Sequence, residues 1–321
     1  MNIPVFDFHC DTALALLGEN GNSAGSLLRN GGHIDLERAS RLDGYAQCFA
    51  CFTTSSMEKR HQPSPIVAFE RELASIQREV NANSDKIAIA YTPAEIEENR
   101  ANGRMSAILT LEGTAGIDYN AELLEDLHTI GFRVVSLGWN EKNPLTGSNQ
   151  TGGALTDQGR EFVREAQRVG MLVDVSHISD EGFWDIMKIT EAPIIATHSN
   201  SRALCQHPRN LTDDMFRAIV ETGGVAGYNL CAAFNGDNPD LDTACDHMFH
   251  FLSLDHTGTH VALGGDLDGI TSMPRGFAGV QSWPALAQRL SERGLDEHTI
   301  QNIFWSNAIG VMDRAVCNHK K

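Results

Sequence analysis

The sequence predicts a single (β/α)8 barrel, and three observations carry that expectation. Short apolar runs recur along the chain, amphipathic stretches of helix length separate them, and metal-capable side chains end run after run. The eight runs occupy residues 5–11, 45–53, 106–112, 133–140, 172–177, 193–198, 223–230 and 260–266. Their β-branched and aromatic content suits strands, and the crossover-length spacing suits parallel pairing. An open, doubly wound sheet is the alternative that the same alternation permits. Residues 1–321 are expected to form one domain, with the barrel mouth built from residues 9–269 and helices at about 282–316 closing the barrel.

The separating stretches read as helices. Residues 66–80 carry Glu70, Glu72 and Arg78 on one polar side. Residues 157–169 follow a Thr156 cap and stop at Gly170, and residues 212–222 stop at Gly223. Residues 241–254 and 282–293 complete the set. The glycine-rich stretch 147–153 lacks the order of a dinucleotide fingerprint and is read as a loop over the barrel mouth.

Composition narrows the partners. Lys+Arg number 25 against 42 Asp+Glu, a formal charge of -17, which repels phosphate backbones and anionic lipid. Nucleic acid and membrane surfaces are therefore poor partners. The start of the sequence shows no basic segment followed by an apolar one, and no window reaches the roughly 18 apolar residues of a membrane helix. Seven cysteines in a chain of this length form no disulfide framework. Cys48 and Cys51 sit inside an apolar run, as buried strand residues do. These features lead to the expectation of a cytoplasmic protein.

The reactive residues fall in one pattern. His9 and Asp11 end the first run, Glu112 the third, His177 the fifth, His198 the sixth and Asp266 the eighth. All strand C-termini of a parallel barrel open on one face, so residues far apart in sequence converge there. Imidazole nitrogen and carboxylate oxygen are zinc ligands, and a carboxylate can bridge two ions. His9 and Asp11 then serve one zinc and His177 and His198 another, with Glu112 shared and a water or hydroxide between the metals acidified into a nucleophile. Asp266 is suited to orient that nucleophile and carry a proton. The other histidines, among them His33, His61, His247 and His250, lie in helices, loops or the tail. His260 begins a strand, away from the chemistry, and His207 lies in a loop near the mouth; both are set aside.

On these residues the chain resembles the membrane (renal) dipeptidase family of zinc peptidases, within the metal-dependent amidohydrolase superfamily. The matching segments are Asp7-Phe-His-Cys-Asp-Thr12, Thr110-Leu-Glu-Gly113, Gly170-Met-Leu-Val-Asp-Val-Ser-His177, Thr197-His-Ser199, Arg209-Asn210 and Gly264-Gly-Asp-Leu-Asp-Gly269, with Asn307 fitting a closing helix. The resemblance implies two Zn2+ per subunit, one on His9, Asp11 and Glu112 and one on Glu112, His177 and His198. It also implies Asp266 as the catalytic aspartate and Arg209 as the partner of a substrate carboxylate, for which a guanidinium fork is suited. The implied substrates are Xaa–Xaa dipeptides with a free C-terminal carboxylate, L-Xaa–D-Xaa among them, and the implied assembly is a homodimer.

One position departs from the family pattern. Leu137-Gly-Trp-Asn140 carries Trp139 where the family commonly has a substrate-binding histidine. An indole offers one N–H donor and no positive charge. That departure keeps a second reading open, a related amidohydrolase of N-acyl amino acids, cyclic amides or lactones. A third, a non-catalytic binding protein on the same fold, has against it that the full ligand set and Asp266 are present.

Overall fold

A computed structural model describes residues 1–18, 25–57 and 64–319 of the chain. Its strands are β1 (Val5–Cys10), β2 (Tyr45–Phe52), β3 (Ile87–Ile89), β4 (Met105–Glu112), β5 (Phe132–Ser136), β6 (Leu172–Asp174), β7 (Ile194–Ile195), β8 (Ala226–Tyr228) and β9 (Val261–Leu263). Hydrogen-bonded neighbours run β7-β6-β5-β4-β2-β1-β9-β8, all in parallel. A parallel bridge between Ala196 and Ala226 joins β7 to β8 and closes the ring. The chain is a (β/α)8 barrel, as the alternation of strand and helix signals predicts.

The strands alternate between two surfaces. Phe6 and Phe8 of β1, Ala46 and Cys48 of β2, Ile108 of β4, Val134 of β5, Leu172 of β6 and Ala262 of β9 fall in one buried cluster. Residues from so many strands meet only inside the barrel. Trp305, Ala308 and Val311, near the end of the sequence, join that cluster, and the Trp305 ring meets Phe6 edge-on at 6.2 Å. The odd-numbered neighbours Phe49, Cys51, Leu109 and Leu111 belong to the larger cluster beneath the helices. Strands apolar on both faces read as continuous runs, which is why they were legible. Cys48 and Cys51 are fully buried free thiols on opposite faces of β2.

The helices Asp157–Arg168 and Leu241–Leu254 lie where periodicity put them, capped by Thr156 and Asp240. The helices Pro93–Ala101 and Asp180–Met187 were not expected; Thr92 and Ser179 cap them. Three features differ from the sequence reading. The three-residue β3 is too short to show a period, and it pairs with Met105–Ala107 of β4 below the start of the β4–β5 ladder. The runs 133–140, 172–177, 193–198 and 260–266 outlast their strands, which end at Ser136, Asp174, Ile195 and Leu263. Beyond those ends side chains replace the ladder: Asp174 Oδ1 accepts from the amides of Ser176 and Thr197, and Asp7 Oδ1 from that of Gly265. His61, read as a loop residue, lies outside the described residues. Among the described residues no helix is long and apolar enough to cross a membrane.

Candidate active site

At the C-terminal ends of the strands six side chains from distant segments meet. Glu112, the last residue of β4, stands at their centre and splits its two oxygens: Oε1 is 2.9 Å from His177 Nε2 and Oε2 is 3.4 Å from His9 Nε2. His9 Nε2 also lies 3.6 Å from Asp11 Oδ2 and 3.9 Å from Asp266 Oδ1. His198 Nε2 is 3.0 Å from His177 Nε2 and 3.8 Å from Glu112 Oε1. Ligand atoms of His9, Glu112 and His198, and of His9, Asp11 and Asp266, gather closely enough to hold a metal ion.

Hydrogen bonds fix the histidine tautomers. Thr197 Oγ1 donates to Asp174 Oδ2, at 2.9 Å, so it accepts from His198 Nδ1 at 2.6 Å. His198 Nε2 is then a bare lone pair. His177 Nδ1 donates to Asn140 Oδ1 at 3.0 Å, which leaves its Nε2 bare as well. Two bare nitrogens facing each other repel unless something positive stands by. His9 Nε2, also buried, has no hydrogen-bond partner. Arg209 Nη2 reaches the His177 nitrogen at 3.0 Å, and the set of unprotonated imidazole nitrogens beside buried carboxylates is of the kind that suits a divalent cation.

Electrostatics agree. Burial, with Asp11 and Asp266 adding like charge, pushes the Glu112 carboxyl up to about 7, while His9 opposes the rise. Burial likewise raises Asp266. It pulls His177 and His198 well down, with Arg209 and His9 adding to the effect. Burial also pulls on His9, but the carboxylates of Glu112 and Asp11 outweigh it and raise that imidazole.

Asp266 sits in a backbone bend of its own. Both it and Asp268 have positive φ, 55° and 66°, a region non-glycine residues rarely enter. Asp268 Oδ2 accepts from Thr12 Oγ1 at 2.6 Å and its Oδ1 from the His33 amide at 2.5 Å. The Asp268 amide donates in turn to His33 Nδ1 at 2.8 Å. A Cβ at Gly269 would lie 2.0 Å from Asp11 Oδ2 and 2.8 Å from Asp266 Oδ1, so any larger residue there would displace both carboxylates. Asn229 Nδ2 donates to Asp266 Oδ2 at 3.0 Å and leaves Oδ1 directed to the cluster.

A cavity of about 460 Å³ opens onto these groups, lined by Arg209, Trp139, Asn140, Phe52 and Phe234 among others. Arg209 is buried; its Nη2 donates to His177 Nε2 at 3.0 Å, its Nη1 to the Ser176 carbonyl and to Ser199 Oγ, and its Nε has no partner. Trp139 is partly exposed, packed edge-on against Phe52 at 5.0 Å. Asp11, Glu112, Trp139, His177, Arg209 and Asp266, six of the eight residues singled out from the sequence, line this cavity, and the buried His9 and His198 meet it through Glu112. His207, set aside from sequence, lines the cavity too; its Nδ1 accepts from the Arg209 amide and its ring meets Phe234 at 4.6 Å. Sequence reasoning also missed Asp174, Thr197, Asn229 and His33. Asp174 and Thr197 precede the two histidines by three positions and one, a spacing that hints at support. Nothing local marks Asn229 or His33.

Fold and site together define a barrel enzyme with a buried histidine–carboxylate centre of metal-binding type. A family model for membrane dipeptidase, peptidase family M19, matches residues 1–321, and the chain belongs to that family of peptide-bond hydrolases. Dipeptidase verJ of Clonostachys rogersoniana is 29% identical over 328 residues, covering 97% of this chain and 84% of that protein. An uncharacterized protein in the pqqA 5' region of Klebsiella pneumoniae is 32% identical over 263 residues, 77% of this chain and 96% of its own. A metallopeptidase from Rhodobacter sphaeroides, solved with a phosphinate mimic of the dipeptide L-Ala-D-Ala, superposes with a TM-score of 0.86 at 26% identity, covering 98% of this chain and 100% of that one.

Proposed function

We propose that the protein is a binuclear zinc dipeptidase that hydrolyses Xaa–Xaa dipeptides with a free C-terminal carboxylate, L-Xaa–D-Xaa substrates included. The observation that carries this reading is the split of Glu112, one oxygen toward His9 and the other toward His177, as a carboxylate shared between two ions requires. His9, Asp11 and Glu112 would hold one ion, and Glu112, His177 and His198 the other. Metal ions held there supply Lewis acidity toward a scissile carbonyl and lower the pKa of nearby water.

The remaining roles belong to the chain itself. Arg209, buried at one side of the cavity with its Nε free, clamps the substrate carboxylate through its planar fork. Asp266, held through Oδ2 by Asn229, keeps Oδ1 for the proton that passes to the departing amine. Trp139 brings an indole N–H to the slot where the family commonly carries histidine. The buried walls exclude bulk water and strengthen each of these interactions. The mimic bound by the Rhodobacter relative supports the choice of a dipeptide.

Trp139 also favours a second reading, a related amidohydrolase acting on N-acyl amino acids, cyclic amides or lactones. One experiment separates the two. Protein purified with zinc is expected to carry about two metals per chain and to cleave L,L- and L,D-dipeptides in a chelator-sensitive way. C-amidated analogues are expected to be inert. Hydrolysis of N-acyl amino acids in preference to free dipeptides would replace the first reading with the second.

A further inference from the structure

The sheet order gives the cavity two unlike walls. Round the ring the strands run β1, β2, β4, β5, β6, β7, β8, β9. β2 therefore lies four places from β7, diametrically across the mouth, and β4 lies four places from β8. Arg209 belongs to the loop after β7, and Phe234 and His207 stand beside it. That wall carries the one buried guanidinium of the cavity lining.

The facing wall has a different chemistry. Phe52, the last residue of β2, stands opposite β7; Leu14, on the helix Thr12–Leu17 directly after β1, and Trp139, just past β5 with its ring 6.2 Å from that of His177, flank it. Phe52 and Trp139 meet edge-on at 5.0 Å, and all three side chains are partly exposed to the cavity. Phe52 is also the register partner of Glu112 in the β2–β4 ladder, so this apolar wall begins directly beside the central carboxylate. Neither proton transfer nor metal binding uses these three residues. An aromatic pair open to the cavity beside the central carboxylate becomes favourable when an apolar group covers it and removes it from water.

We propose that Leu14, Phe52 and Trp139 form the subsite for the side chain of the N-terminal residue, and that the enzyme selects dipeptides whose first residue is large and apolar. The proposal rests on the dipeptidase reading, which puts the substrate carboxylate on Arg209. Two residues of extended chain span about 7 Å. With the carboxylate on the β7 side and the scissile carbonyl over Glu112, the first residue lies beyond Glu112, against Phe52. Trp139 in place of a histidine turns a polar part of that wall into an apolar one. A charged first side chain would lose its hydration there with no partner for its charge on the three wall residues.

The test is kcat/KM for the zinc-loaded enzyme on Gly-Ala, Lys-Ala, Leu-Ala and Phe-Ala, with Ala-Gly and Ala-Phe as the reversed pair. Leu-Ala and Phe-Ala are expected to exceed Gly-Ala and Lys-Ala by about tenfold or more, the scale of apolar pocket discrimination. Ala-Phe is expected to show no such gain over Ala-Gly. Trp139→Ala and, separately, Phe52→Ala are expected to cut the Phe-Ala to Gly-Ala ratio at least fivefold, and Trp139→Phe to recover most of it. An unchanged ratio in both alanine variants overturns the proposal, as does a wild-type preference for Gly-Ala or Lys-Ala; the wild-type series decides the matter even if a variant fails to fold. Cleavage of all dipeptides at similar rates refutes the subsite and leaves the dipeptidase reading standing. Cleavage of none, with N-acyl amino acids hydrolysed instead, refutes that reading and the subsite with it.

Discussion

The two ends of the barrel are made by the same strands and have opposite chemistry. At one end Phe6 and Phe8 of β1 pack with Trp305, Ala308 and Val311 in a fully apolar cluster. At the other end, one residue beyond Phe8, the same strand delivers His9 and then Asp11 into a group of buried acids and imidazoles. A register shift between Asp7 and Cys10 marks the changeover. The apolar end gains stability chiefly from burial, with Trp305 Nε1 donating to Glu97 at its edge. The polar end costs stability, since charges leave water, and its groups hold their places only through supports such as Asp174, Thr197 and Asn229. Fold and chemistry are thus separated along single strands, within a few ångströms.

Substitutions at the two ends should separate in what they damage. The largest effect is expected at the mouth. Glu112→Gln should abolish metal binding and turnover together, whereas Asp266→Asn should keep its metal and lose roughly 10²–10⁴ in kcat, the range of a general acid–base group. Metal analysis beside steady-state kinetics reads both, and fast turnover by metal-loaded Asp266→Asn would remove that residue from the mechanism. Phe6→Ala, at the other end, should cost about 3–5 kcal/mol of stability through the cavity it leaves, with kcat per folded molecule preserved. Denaturant titration with active-site counting checks this; a fall in kcat without loss of stability would break the division. The smallest effect is expected at His33, which reaches the mouth only through Asp268. His33→Ala should lower kcat roughly tenfold with little change in KM, the scale of a small misplacement of a reacting group. His33→Asn, whose side-chain oxygen can accept from the Asp268 amide, should recover most of the loss. Equal kinetics for wild type and alanine variant would show that the bend at Asp266 holds without it.

How far the sequence was legible follows from the range of each signal. Runs such as 45–53 and 106–112 announce long strands buried on both faces, and these became β2 and β4 almost residue for residue. β3 has three residues and no period to read, and β7 has two, so their extents came only with the structure. His9, Asp11, Glu112, His177, His198 and Asp266 were legible because each ends a run, although the last four runs overshoot their strands. Their supports were not. Asp174 acts on Thr197 across 23 positions, and His33 on Asp268 across 235. A contact of that range leaves no mark in local spacing. His207 was set aside as a loop histidine, and only the return of its loop beside Arg209 brings it to the cavity.

The packing of Trp305 and its helical neighbours against Phe6 also bears on how the protein comes to be folded. The first strand finds these neighbours only after about 300 further residues have been made, because the groups that cover Phe6 lie that far along the chain. Folding of this kind joins segments of high sequence separation late, and such topologies fold slowly and expose apolar surface while they wait. The ring of strands cannot be sealed from below until Trp305 and Val311 arrive, so a nascent chain halted before them would present the bare aromatic face of β1 to whatever is near.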